Sequence, residues 1–298
     1  MSAPMFELQL KNRELQKHLF DFIGAGTITP DFLTKKKFEE ENKSLDISLS
    51  QLLKMNIGDA RKHISKANKV VSPTAHLEHL APIDEKQEVW ACGVTYLRSK
   101  VGRMEESDLP DLYSRVYDAL RPEIFFKSSG WRAVGNKEAV GIRADSGWDV
   151  PEGEVGLVVN AHGEIFGYVI GNDMSSRSIE GENTLYLPQA KSYEKSCTIG
   201  SFIIPSWEIS EAVFPFTLSV ERNGVEVFAG ASSSAEMKRG FTELVEWFFR
   251  TLPMPDGAML FTGTGIVPDA DFTLHEGDVV KIDGGVLGHL NNPVILVS

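Results

Sequence analysis

Four side chains in the middle of the sequence have the types and spacing to hold a divalent cation beside an amine. Glu152 and Glu154 are one residue apart, Asp173 follows nineteen residues after Glu154, and Lys191 eighteen after that. In Pro151-Glu152-Gly153-Glu154-Val155-Gly156-Leu157-Val158-Val159, period-two alternation puts both glutamates on one strand face and Val155, Leu157 and Val159 on the other. Two anions that close on a half-buried strand need a cation or a shared proton. Hard carboxylate oxygens suit magnesium, manganese or calcium better than zinc. Residues 165–173 read as the next strand, and the turn Asn160-Ala161-His162-Gly163 before them predicts a hairpin that returns Asp173 toward the glutamates. A bare Glu-x-Glu is equally a solvated strand face, so the surrounding sequence must decide.

The chain must bury these groups, and it has the means. Its 298 residues, 42% of them hydrophobic, are enough for a sizeable core in one large domain or two. A formal charge of −12 and a pI near 5.1 argue against nucleic acid as a partner, because phosphate binding draws on clustered Lys and Arg. A small anionic substrate must then be anchored by local cations, for which Arg98, Lys127 and Lys191 are candidates beside the metal. Two cysteines, Cys92 and Cys197, make no disulfide framework and read as small buried hydrophobes, with a reducing cytoplasm as the expected setting. No apolar stretch approaches the roughly 20 residues of a membrane span, and the first residues lack a secretory leader pattern.

Residues 1–85 read as a small N-terminal domain and 86–298 as the catalytic one. Leu15, Leu19 and Phe22 fall at helical spacing, and Leu49, Leu52, Leu53 and Ile57 suggest a second short helix. The run Lys35-Lys36-Lys37-Phe38-Glu39-Glu40-Glu41 reads as a solvated surface segment, and His76 and His79 as linker residues. Residues 88–93 read as a strand, Asn223-Gly224 as the type I′ turn of a hairpin over 220–227, and 235–249 as a helix with Phe241, Leu244, Val245 and Phe248 on one face. Beyond residue 88 the chain is strand-rich with this one helix interrupting the strands, an α+β pattern weighted to β.

The order of motifs resembles the fumarylacetoacetate hydrolase superfamily. The segments that carry the likeness are Pro122-Glu123-Ile124-Phe125-Phe126-Lys127, Pro151-Glu152-Gly153-Glu154, Gly171-Asn172-Asp173, Lys191-Ser192-Tyr193 and Thr262-Gly263-Thr264. The resemblance runs from about Val89 to Val294 and implies a mixed β-sandwich or roll with the metal at its mouth. Hydrolases of that superfamily carry Gly-x-Asn-Tyr-x-x-His, whereas Gly93-Val94-Thr95-Tyr96-Leu97-Arg98-Ser99 has serine at the histidine position. Residues 117–127 and 182–191 resemble the 2-keto-3-deoxy-D-arabinonate dehydratase branch instead.

That likeness implies a reaction. A 2-keto acid can chelate magnesium through its carboxylate and keto oxygens, which acidifies the C3 hydrogens and stabilises the enolate. Lys191, desolvated beside the ion, is the expected base, and Glu123 the expected acid toward the departing C4 hydroxyl. Thr262, Gly263 and Thr264 are expected to hold the substrate carboxylate, the loop offering hydroxyl and backbone N–H groups, and Thr95, Tyr96, Tyr186 and Gln189 to contact sugar hydroxyls. Dimers or higher homo-oligomers are usual in the superfamily. The competing expectation is an acylpyruvate-type carbon–carbon hydrolase or an oxaloacetate-type decarboxylase, which would begin from the same chelate.

Overall fold

The computed structural model describes residues 5–10, 18–23, 45–46, 48–65, 81–106 and 110–298. The Lys35–Glu41 run, His76 and His79, and Leu15 lie outside them. Two sheets dominate, and the structure is α+β with the strands in the majority.

The larger sheet has ten strands. Across it run Leu45–Asp46, His18–Ile23, Met5–Leu10, Phe202–Pro205, Ile165–Asp173, Gly153–Val159, Ala258–Phe261, Glu88–Gly93 and Glu123–Ser129, with Cys197–Ile199 paired beside the Asp173 end of its neighbour. The expected hairpin forms at its centre: Gly153 pairs with Asn172 and Glu154 with Gly171. Asn160 closes its turn by accepting the N–H groups of His162 and Glu164, and Gly163 supplies the positive φ of 75°. Strand Gly153–Val159 is buried on both faces, not half-buried as its alternation predicts. Val155, Leu157 and Val159 enter one core cluster and Val158 the other, because this strand lies mid-sheet with a core on each side.

The second sheet orders Val225–Ser233, Pro215–Arg222, Val279–Asp283, His289–Val297 and Val140–Arg143. The Asn223-Gly224 turn has φ of 53° and 77°, as a type I′ hairpin requires. Between the sheets pack Leu218, Val220, Val280 and Ile282, closed at one end by helix Phe241–Phe249 through Leu244, Val245 and Phe248. This helix is shorter than the predicted 235–249. Gly240 caps it, and residues 234–236 form only a 3-10 turn, so the earlier periodicity had no backbone to act on.

The N-terminal segments depart further from expectation. Leu19 and Phe22 lie in strand His18–Ile23, not in a helix, and that strand pairs along its length with Met5–Leu10. A Leu-, Phe- and Ile-rich run that finds a neighbouring backbone is as good a strand as a helix. Met5–Leu10 in turn pairs with Phe202–Pro205, continuing the large sheet. The leucine-rich segment forms two helices, Leu49–Leu53 and Ile57–Ser65, the first opened by a reciprocal Ser48/Gln51 capping box and the second by Asn56 accepting from Asp59 N–H. Leu49, Leu52 and Leu53 are buried with Met259 and Phe261 in the second core cluster. Among the described residues no helix is long and apolar enough to cross a membrane.

A two-stranded pairing, Asp149–Val150 with Ser175–Ser176, ties the entry of Glu152 to the exit of Asp173. Asp149 is buried, and loss of water raises its carboxyl to about 6. A carboxyl whose folded value is raised favours folding fully below the unfolded value of about 4, and that contribution is lost as pH rises through about 6. Asp149→Asn should therefore match the wild type in stability near pH 4 and exceed it above pH 6, by on the order of 1–3 kcal/mol. Denaturant unfolding across that range checks this, and a gap that does not grow with pH would contradict it.

Candidate active site

Glu152, Glu154 and Asp173 come together: one ligand oxygen from each lies within 4.8 Å of the others, and all three residues are buried. Glu152 precedes the central strand, Glu154 lies on it, and Asp173 ends its hairpin partner. The register that pairs Gly153 with Asn172 sets the three carboxylates around one point.

Lys191 joins them from the last residue of helix Leu187–Lys191. Its Nζ lies 2.9 Å from Glu152 Oε2 and 3.0 Å from Asp173 Oδ2 and donates to Ser175 Oγ at 2.6 Å. Two further cations complete the arrangement. Lys127 is fully buried, with Nζ 2.6 Å from Asp173 Oδ1, and it donates to the carbonyls of Met174 and Lys191. It thus fixes one carboxylate of the triad and the backbone that carries the proposed base. Arg177 binds Glu152 Oε1 at 2.8 Å and Glu180 Oε2 at 3.3 Å. Lys127 was expected only as a general counter-charge, and Arg177 and Glu180 were not singled out. Their signal was available as Arg-x-x-Glu at the helix start four residues beyond Asp173.

Glu154 Oε2 accepts the N–H of Gly263 at 2.6 Å. Burial, then the charges of Asp173 and Glu152, hold its carboxyl well above the usual carboxylate range. Asp173 lies below that range because Lys127 and Lys191 outweigh its burial. Four buried carboxylates, Glu152, Glu154, Asp173 and Glu180, meet three buried cations, Lys127, Arg177 and Lys191, and the partly exposed Glu123 lines the cleft beside them. The three converging carboxylate oxygens and the all-oxygen donor set fit a hard dication such as magnesium, with Glu152, Glu154 and Asp173 to hold it.

Glu123, Ser99, Cys92, Gly93, Phe125, Gly263, Thr264 and Val267 line the cleft over this centre together with Glu152, Asp173, Arg177, Glu180 and Lys191. Glu123 lies against Gly93, where any side chain would collide with its carboxylate. Ser99 Oγ is tied to the backbone of Tyr96, donating to its carbonyl at 2.8 Å and accepting its N–H at 3.2 Å. Cys92 and Cys197 are buried free thiols, as expected, and loss of water pushes both up, Cys197 to about 12.

The expected substrate contacts divide. Thr264 and Gly263 reach the cleft, but the Gly263 N–H is committed to Glu154 rather than open for a substrate. Thr95 Oγ1 donates to the Thr262 carbonyl at 2.6 Å, and Thr262 Oγ1 to the Val155 carbonyl at 2.8 Å, so both residues brace the loop from below. Gly263 has φ of 91°, and a methyl group there would strike Thr95. The loop's role in this structure is to aim an N–H at a ligand. Tyr96 is buried in the core between the sheets. Tyr186 and Gln189 are exposed and line no part of the cleft, since the short helix that brings Lys191 inward turns them outward. Arg98 binds the Val267 carbonyl and Asp269 at its surface end.

Residues 115–295 match the family model described as fumarylacetoacetate (FAA) hydrolase C-terminal. The chain belongs to this family. Over 217 residues, 72% of this chain and 74% of the relative, it is 46% identical to a probable 2-keto-3-deoxyxylonate dehydratase of Haloferax volcanii. It is 41% identical over 218 residues to the 2-dehydro-3-deoxy-D-arabinonate dehydratase of Saccharolobus solfataricus, covering 72% of this chain and 73% of that one. A solved structure of 2-keto-3-deoxy-D-arabinonate dehydratase complexed with magnesium and 2,5-dioxopentanoate superposes with a TM-score of 0.76 at 28% identity, covering 99% of each chain. The FAA hydrolase fold expected from the motifs is the fold observed.

In this FAA hydrolase family member the raised Glu154 carboxyl must lose its proton when a dication enters. Magnesium or manganese binding should release protons and weaken as pH falls. Titration calorimetry in buffers of different ionisation enthalpy reads this directly, and a binding heat that is the same in all of them would contradict it.

Proposed function

We propose that this chain is a magnesium-dependent hydro-lyase that converts a 2-keto-3-deoxy sugar acid, 2-keto-3-deoxy-D-arabinonate above all, to 2,5-dioxopentanoate and water. The observation that carries this reading is the buried Glu152–Glu154–Asp173 triad with Lys191 set against two of its members, in a chain over 40% identical to two dehydratases of such acids. We assign the chemistry to residues 86–298, which supply every group named, with 1–85 as a small N-terminal domain.

A magnesium ion on the triad would supply Lewis acidity toward the carboxylate and keto oxygens of a 2-keto acid. Lys191 would take a proton from C3. Its nitrogen is positioned from three sides by Glu152, Asp173 and Ser175, and it would accept the C3 proton as the neutral amine, after giving up one of the protons it donates in those contacts. Glu123 would give a proton to the C4 hydroxyl as the C4–O bond breaks, releasing water and leaving a C3–C4 double bond. Movement of a C5 hydrogen then yields the dioxo acid. Lys127 and Arg177 would not touch substrate; they hold Asp173 and Glu152 in place. Thr264 on the cleft wall would meet the substrate's carboxylate end.

No histidine lines the cleft among the described residues, and the Ser99 hydroxyl that stands at the hydrolase histidine position is engaged with the backbone. That supports elimination over the carbon–carbon hydrolysis that would need water activated by a base. The setting consistent with this reading is cytoplasmic pentose catabolism by a homo-oligomer.

Isotope exchange separates the two half-reactions. Glu123→Gln should exchange the C3 hydrogens with deuterated solvent while dehydration falls at least about a hundredfold, as expected for loss of a general acid. Lys191→Ala should lose both exchange and dehydration. Normal formation of 2,5-dioxopentanoate by either variant, or efficient acylpyruvate cleavage by the wild type, would overturn the assignment.

A further inference from the structure

Lys191 ends a short helix, and its backbone is held where its carbonyl accepts Lys127 Nζ and Ser196 Oγ. Between that anchored backbone and the nitrogen lies a four-carbon stem of rotatable bonds, so the amine needs supports of its own. Three oxygens hold it, and they are not equivalent. Two belong to the triad, Glu152 Oε2 at 2.9 Å and Asp173 Oδ2 at 3.0 Å, the carboxylates that a dication would draw on. The third, Ser175 Oγ at 2.6 Å, belongs to no triad member. Ser175 is fully buried on the two-residue strand Ser175–Ser176, where it pairs with Val150. Its own hydrogen is engaged by the Asp173 carbonyl at 3.0 Å, so toward Lys191 it accepts and does not donate.

Resting on the reading that Lys191 takes the C3 proton, we infer that Ser175 is a positioning residue for that step. Its hydroxyl keeps one N–H of Lys191 turned away from the triad, so that the lone pair opens on the triad side, where the keto acid is to be held. A neutral amine has two N–H groups and one lone pair for the three directions that Glu152, Asp173 and Ser175 occupy. The lone pair can reach a substrate only if it does not face Ser175. A hydroxyl free to rotate would donate to it and quench it, whereas one engaged with the Asp173 carbonyl does not. The same hydrogen bond ties the Ser175 oxygen to the backbone of a triad member, so the base and the ligand set share one frame. Without the hydroxyl, two of the supports left to the nitrogen are those that the ion competes for, and a misplacement of about 1 Å costs on the order of a hundredfold in rate.

The probe is 2-oxobutanoate, a keto acid with C3 hydrogens and no hydroxyl to eliminate. Proton removal is then read alone, as deuterium uptake at C3 followed by NMR on the magnesium-loaded protein in deuterated water. Ser175→Ala should lower exchange at saturating probe at least about tenfold, while the affinities for manganese and for 2-oxobutanoate, read by calorimetry, stay at wild-type values. Ser175→Thr keeps the hydroxyl and should recover most of the exchange; a rate as low as that of Ser175→Ala counts against the inference. Wild-type exchange in Ser175→Ala overturns it, and so does loss of manganese affinity in step with exchange, which is the pattern of a residue that only shapes the ligand set. A crystal structure of Ser175→Ala gives a reading that needs no rate: Lys191 Nζ should leave its present position, and an unmoved Nζ contradicts the inference. A wild type that takes up no deuterium, or Lys191→Ala that takes it up at the wild-type rate, overturns the functional reading and this inference with it. Exchange that depends on Lys191 and not on Ser175 overturns this inference alone.

Discussion

Burying four carboxylates, Glu152, Glu154, Asp173 and Glu180, with the three cations Lys127, Arg177 and Lys191 is the constraint from which the rest of the site follows. Isolated buried charges are prohibitive, so each anion must find a partner or a proton. Glu152 and Asp173 take the available cations: Arg177 and Lys191 on one, Lys127 and Lys191 on the other. Glu154 accepts the Gly263 N–H, and burial first, then the charges of Asp173 and Glu152, push its carboxyl up. The deficit is localised at the point where three ligand oxygens converge. Three converging carboxylate oxygens suit a hard dication, because a soft ion would lack suitable donors.

The fold exists to impose this arrangement at fixed geometry. The central hairpin register sets Glu154 and Asp173, and the small Asp149–Val150 pairing with Ser175–Ser176 holds the two loops that flank them. Lys127 comes from an edge strand and clamps Met174, Lys191 and Asp173 together, so that one buried ammonium couples a ligand to the proposed base. The Thr262-Gly263-Thr264 loop, locked by Thr95 and by the positive φ of Gly263, brings its N–H onto Glu154. These supports come from separate strands and loops that pack against the cores on the two faces of the large sheet.

Much of this was legible in the residue order. Period-two alternation and the Asn160–Gly163 turn were enough to place Asp173 near Glu152 and Glu154, because a hairpin is local and its register follows from its turn. The family motifs located Glu123 and Lys191. What escaped was non-local. Lys127 and Arg177 look like ordinary cations until strand and helix close over them, and whether Thr95 or Tyr96 faces a cleft or a core depends on the side of the sheet that their loop crosses. Leu19 and Phe22 show a different limit, since a short apolar run is compatible with helix or strand until a partner backbone decides. Gly263 is the most instructive case: its N–H is expected to serve a substrate and is bonded to Glu154 instead.

The central claim is that the triad is a dication site beside a substrate-facing lysine, and anomalous diffraction from manganese-soaked crystals holding a 2-keto acid tests it most directly. The account predicts one anomalous peak per chain at about 2.0–2.4 Å from oxygens of Glu152, Glu154 and Asp173. The keto and carboxylate oxygens of the ligand should complete the coordination, and Lys191 Nζ should lie within reach of C3. A peak elsewhere, no peak at saturating manganese, or a ligand whose C3 lies on the side away from Lys191 would contradict it.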